Sequence, residues 1–152
     1  MKKYLLTILM SLPLTVFACK GYVLGFKGLN EAFDRTSFDA YVKQINYCGK
    51  LFSWHQRKEA AEFISTLNTN YQLYGFSKGA ETVAYLLKNL DDSKPEYVLT
   101  IGAYKTVDVN FDKYEVNYDN YFDASGQGQK SPGIFLNVSH DKIQKEVNKI
   151  KK

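Results

Sequence analysis

The chain has 152 residues, 20 Lys and Arg against 16 Asp and Glu, and a formal charge of +4 that falls to +2 once Lys2 and Lys3 are set aside. So small an excess, with no basic patch, argues against a nucleic-acid partner, which needs several phosphates neutralised together. Two cysteines and two histidines in no ligand-like spacing argue against a metal site.

Met1 to Ala18 holds Lys2 and Lys3, an apolar run from Tyr4 to Leu12, Pro13 and the small residue Ala18. This pattern predicts a secretory signal peptide over 1–18 and a periplasmic or secreted mature chain. The run falls short of the roughly 20 apolar residues that span a bilayer. Roughly 134 residues remain, enough for a single domain over 19–152 but not for two. Cys19 and Cys48 admit two readings. In an oxidising compartment they could pair as a disulfide. Alternatively, Val16-Phe17-Ala18-Cys19 resembles the lipobox of bacterial lipoproteins, which implies a lipid anchor at Cys19, although Phe17 is bulkier than that motif normally takes.

Tyr22 to Phe26 reads as a short apolar strand, followed by a helix over Glu31 to Ile45 with Phe33, Phe38, Tyr41, Val42 and Ile45 at helical spacing. Gly49 reads as a break, Leu51 to Trp54 as a second strand and Arg57 to Leu67 as a second helix. A third strand, Tyr71 to Tyr74, precedes a helix marked by Ala80, Val83, Ala84 and Leu87. After the polar break at Asp91 to Pro95, Tyr97 to Ile101 is the most β-prone run, ending at Gly102. Tyr114 to Tyr118 is expected as a strand, Ala124 to Gly133 as a loop, Ile134 to Val138 as the last strand, and Asp141 to Lys152 as a closing helix. Lys145, Lys149, Lys151 and Lys152 offer anionic lipid a peripheral contact, although the same pattern is the ordinary solvated face of a final helix. Strands alternating with helices predict an α/β fold, a mostly parallel sheet with helices on both faces.

Gly75-Phe76-Ser77-Lys78-Gly79 sets a serine between two glycines where a strand turns into a helix. Such a bend holds its serine in a strained conformation and needs small residues two before and two after it. The bland alternative is a βα turn whose serine caps the helix. In a parallel sheet, ligands gather beyond the carboxyl ends of the strands. There the order of polar residues is Ser77, a carboxylate, then His140. A serine hydroxyl becomes a useful nucleophile when a neutral imidazole accepts its proton and a carboxylate orients that imidazole. His140 is the candidate base, and Asp123 the candidate acid, with Asp119 and then Asp108 as alternatives. His55 precedes the bend in the chain and reads as a rim residue. An oxyanion would find a donor in the Lys78 N–H and another in the Leu29 N–H, with Asn30 behind it.

Val23 to Leu29 followed by a helix, the Tyr74 to Ala80 bend, and Ser139-His140 before a closing helix together resemble an α/β-hydrolase, specifically a small lipase or esterase. The resemblance covers most of the mature chain. It implies a mostly parallel, α/β-hydrolase-like fold; the chain departs from the family in being much shorter and lacking a cap domain, so a minimal version with an open cleft is expected. It also implies hydrolysis of a lipid or small acyl ester through an acyl-Ser77 intermediate, without a cofactor. A second reading keeps the fold but gives it a binding or interaction role at the cell envelope.

Overall fold

The structure, a computed structural model, describes residues 19–90, 92–104, 107–125 and 132–152. The predicted signal peptide over 1–18, Asp91, and most of the predicted loop over 124–133 lie outside the described residues. In chain order the elements are β1 (Gly21–Phe26), α1 (Arg35–Gln44), β2 (Cys48–Phe52), α2 (Arg57–Thr66), β3 (Asn70–Phe76), α3 (Gly79–Asn89), β4 (Tyr97–Ile101), β5 (Tyr118–Phe122), β6 (Ile134–Phe135) and α4 (Ile143–Ile150). The six strands form one sheet in the order β2-β1-β3-β4-β5-β6, and every pairing among the described residues is parallel.

A strand covered on both faces must be apolar on both, which is why β1, β3 and β4 read as nearly unbroken apolar runs. Leu24, Phe26, Leu73 and Val98 face one core with Ala60 and Ile64 of α2 and Ala80, Val83 and Leu86 of α3. Val23, Tyr74, Phe76, Leu99 and Ile101 face the other, with Phe38, Tyr41 and Val42 of α1 and Ile143 and Val147 of α4. The α/β fold with helices on both faces is therefore as expected, and among the described residues no cap domain is evident. The chain crosses from β1 outward to β2 and returns past β1 to β3, so the strand order reverses between β1 and β3. Their carboxyl ends flank the crevice where such sheets hold ligands.

Several element boundaries differ from the sequence reading. Helix α1 begins at Arg35 rather than Glu31, because Leu29–Glu31 forms a separate 3-10 turn and Asp34 caps α1 by accepting the Ser37 N–H at 3.0 Å. Strand β2 is Cys48–Phe52, not Leu51 to Trp54, so Gly49 lies inside a strand instead of breaking the chain. A Cβ on Gly49 would sit 2.9 Å from the Phe38 ring, so the glycine lets α1 pack down. Strand β5 is Tyr118–Phe122, where Tyr114 to Tyr118 was expected, and Asp112–Tyr114 is a 3-10 turn. Strand β6 stops at Phe135, short of Val138. Cys19 and Cys48 are joined by a disulfide with Cα atoms 5.7 Å apart. The same sulfur cannot also carry a lipid.

Candidate active site

The bend between β3 and α3 is built by exclusion of volume. Ser77 has φ 52°, in the left-handed region that crowds an L side chain. A Cβ on Gly75 would lie 2.8 Å from Ala80 Cα, and one on Gly79 only 2.0 Å from the Phe26 carbonyl oxygen. Larger residues at either position would collide with backbone. The bend is fastened to the end of β4: the Ser77 N–H donates to Ile101 O at 2.9 Å, and the Ser77 carbonyl accepts the Tyr104 N–H at 3.2 Å. These fixed neighbours let the strained conformation persist.

Asp123, fully buried just past β5, has Oδ2 2.5 Å from Nδ1 of His140. Its other oxygen, Oδ1, accepts the Ser125 N–H at 2.9 Å and also the Ser125 hydroxyl. Both carboxylate oxygens are thus committed, which fixes the group that in turn fixes the imidazole. The His140 ring stacks on Phe76, with centroids 4.9 Å apart and planes 23° apart. Gly102, at φ +56°, lies against the same ring, and a Cβ there would be 2.9 Å from Cε1 and Nδ1. Phe76 directly precedes Ser77, and Gly102 directly follows the residue that holds the Ser77 N–H. The imidazole therefore lies alongside the bend, with Nδ1 taken by Asp123 and, among the described residues, no hydrogen bond at Nε2. Ser77 is buried, and its Oγ makes no hydrogen bond among the described residues.

The amide candidates flank this serine. A Cβ on Gly28 would be 3.1 Å from Ser77 Cβ, so the loop after β1 passes directly against the bend. Among the described residues neither the Lys78 N–H nor the Leu29 N–H donates to another group. Lys78 also stands at the amino end of α3, where the helix dipole favours negative charge. Asn30 lies in the turn beyond Leu29.

The other candidates are placed elsewhere. Asp119 lies within β5, not after it, and its Oδ2 meets Tyr97 Oη at 2.5 Å and Lys151 Nζ at 2.7 Å. Partial burial pushes its carboxyl up, but the Lys151 and Tyr97 hydrogen bonds outweigh this and hold it below its ordinary value. Asp108 is exposed and accepts the Asn110 N–H at 3.0 Å. His55 is exposed, edge-on to Trp54 at 5.7 Å. The carboxylate brought to His140 is Asp123.

Sequence reasoning missed the residues that pack around the pair. A cavity of about 480 Å³ opens beside His140 and is lined by Ala32, Phe33, Asp34, Phe76, Asp141 and Gln144. Gln144 is 2 % exposed and braces this wall, with Oε1 accepting the Asp34 N–H at 2.7 Å and Nε2 donating to Tyr74 Oη at 3.1 Å. A larger groove of about 570 Å³, around Tyr41, Tyr97 and Lys151, takes in the alternative acid Asp119 but is lined by neither Ser77, His140 nor Asp123. Gly102 was legible only as the end of a strand; glycine after a central strand was the available signal. Among the described residues, no group of three or more His, Cys, Asp and Glu side chains is placed to hold a metal ion.

No family model matches the sequence, and no curated protein matches it. Two solved structures are similar to it. One is a protein named as a YdeN-like hydrolase from Pectobacterium atrosepticum, with a TM-score of 0.51 and 10 % identity over 77 % of each chain. The other is a pyrethroid hydrolase from Sphingobium faniae, with a TM-score of 0.41 and 15 % identity over 58 % of this chain and 41 % of that one. The first likeness is one of fold, to a protein named as a hydrolase.

Proposed function

We propose that the protein is an exported serine hydrolase acting on carboxylic esters, with Ser77 as nucleophile, His140 as general base and Asp123 as the orienting acid. The observation that carries this reading is the Asp123–His140 pair, 2.5 Å apart and held between Phe76 and Gly102 beside a left-handed serine. In the reaction, His140 Nε2 takes the proton from Ser77 Oγ as the oxygen bonds to the carbonyl carbon. The carbonyl electrons move onto its oxygen, which the Lys78 and Leu29 amides receive. Collapse expels the alcohol, protonated by the imidazolium, and leaves acyl-Ser77. Water, deprotonated by His140, then releases the acid. Each amide donor of this kind contributes roughly 10²–10³-fold to rate.

The cavity lined by Phe33 and Phe76 lies in the size range of small-molecule sites and suits the apolar part of a small acyl or aryl ester. The Cys19–Cys48 disulfide supports an oxidising destination. Hydrolysis of 4-nitrophenyl acetate and butyrate by wild type, Ser77→Ala and His140→Ala tests the reading. Turnover should fall at least about 10³-fold in both variants. A folded Ser77→Ala protein that keeps wild-type turnover sinks it, and a folded wild type that turns over neither ester favours the binding role.

A further inference from the structure

The turn between β1 and α1 holds two strained residues in succession. Asn30 (φ 53°, ψ 33°) and Glu31 (φ 61°) are consecutive non-glycine residues in the left-handed region. Such conformations persist only where the surroundings enforce them, and they gather at functional sites. Two backbone bonds close the turn, from the Gly28 N–H to Ala32 O at 2.9 Å and from the Ala32 N–H to Leu29 O at 3.1 Å. The side chain of Glu31 then ties it down. Its Oε2 meets Lys27 Nζ at 2.7 Å, and its Oε1 accepts the Ser53 hydroxyl.

Both partners are anchored in turn. The Lys27 N–H donates to Phe52 O at 3.0 Å, and the Ser53 N–H to Gln56 Oε1 at 2.8 Å. One carboxylate thereby fastens the strained turn to the ends of two neighbouring strands, β1 and β2. Hydrogen bonds from Lys27 and then Ser53 hold that carboxyl below its ordinary value, with a smaller contribution from the Lys27 charge. At Gly28 the same turn runs against Ser77, and the next N–H along, that of Leu29, has no acceptor among the described residues.

We infer that Glu31 is a positioning residue: by clamping the left-handed turn it aims the Leu29 N–H at the oxyanion formed during attack by Ser77. The inference rests on the serine-hydrolase reading and assigns its oxyanion loop a built-in brace. Glu31 touches no substrate in this account. Its effect passes through the direction of one amide, which matters because an oxyanion donor acts only when it is already in place as charge develops.

The test compares Glu31→Ala, Glu31→Gln, Glu31→Gly and Ser53→Ala, reading the rate at which a fluorophosphonate labels Ser77 together with kcat, KM and melting temperature. Glu31→Ala should label about 10- to 100-fold more slowly, with kcat reduced alike and KM within about 2-fold, as expected for a displaced donor. Glu31→Gln keeps an acceptor for Ser53 and should lose less. Glu31→Gly should also lose less than alanine, because glycine adopts the left-handed conformation freely. Ser53→Ala, which leaves Glu31 intact, should slow labelling in the same direction. A brace that merely stabilised the fold would lower the melting temperature of all four and leave kcat unchanged below it. Glu31→Ala labelling within 2-fold of wild type, or Glu31→Gly slower than Glu31→Ala, overturns the inference while leaving the hydrolase reading standing. A folded wild type that never labels overturns both.

Discussion

Replacing Gly102 with alanine inserts one methyl group against the imidazole of His140. The new Cβ would lie 2.9 Å from Cε1 and Nδ1 of the ring and 3.1 Å from Asp123 Oδ2, whereas ordinary contact begins at 3.4 Å. The ring has to move by about 0.5 Å, and Phe76, stacked at 4.9 Å, limits the room for it. Two costs follow. Alanine at φ +56° is strained by about 1–2 kcal/mol, and the local overpacking brings the total to roughly 2–3 kcal/mol. In a chain of this size that lowers the melting temperature by roughly 5–10 °C. On the proposed serine-hydrolase reading the catalytic cost is larger, because a base displaced from its proton donor and its orienting carboxylate loses about 10²-fold in rate. The assay is kcat/KM on 4-nitrophenyl butyrate, well below the melting transition, with circular dichroism reporting the folded fraction. A Gly102→Ala protein that is folded and retains wild-type kcat/KM refutes the reasoning, since the imidazole would then be off the reaction path.

Asp123→Asn should lower kcat by about 10²–10⁴-fold at neutral pH, whereas Asp119→Asn, at a carboxylate committed to Tyr97 and Lys151, should leave kcat within about 2-fold; steady-state kinetics reads both. Asp119 also sets an acid dependence of stability. Its folded-state value lies below the unfolded one, so its contribution is fully present above about pH 4 and is lost as pH falls through the lowered value. The urea midpoints of wild type and Asp119→Asn should therefore stay apart above about pH 4 and converge as the pH falls further. Gly79→Ala places a methyl group 2.0 Å from the Phe26 carbonyl oxygen, backbone that cannot yield, and should cost more than about 3 kcal/mol, seen as lost soluble yield and helical signal. The Cys19–Cys48 link closes a loop of 29 residues, so Cys48→Ser should lower unfolding stability by about 3–4 kcal/mol, and dithiothreitol should bring wild type down to the same denaturant midpoint.

The bend was legible because its requirement is steric and local: Gly75 and Gly79 are the only side-chain choice that clears Ala80 and Phe26. Strand β4 was legible for a related reason, as burial on both faces demands an unbroken apolar run. Strand β5 misled because Tyr114, Val116 and Tyr118 alternate like a strand, while the true strand carries Asp119 and Asn120 in its middle. Those polar residues are tolerated through partners distant in sequence: Asn120 Oδ1 accepts the Thr100 hydroxyl at 3.0 Å, and Asp119 meets Tyr97 and Lys151. No local pattern announces such pairings. Gly49 misled in the opposite sense, a glycine that serves the packing of Phe38 rather than a turn. At the candidate site, Ser77 could be named from its bend and His140 from its order along the chain, whereas that order left Asp123, Asp119 and Asp108 all open as the acid. The left-handed turn at Asn30 and Glu31, the Phe76 stack and the Gly102 contact all depend on backbone angles and neighbours that appear only once the strands are in register.

The most direct measurement is the mass of the folded protein and of its peptides after reaction with a fluorophosphonate. A single adduct should appear on the peptide containing Ser77 and be absent from His140→Ala. An adduct at another residue, or one on Ser77 that forms equally fast without His140, would contradict the account.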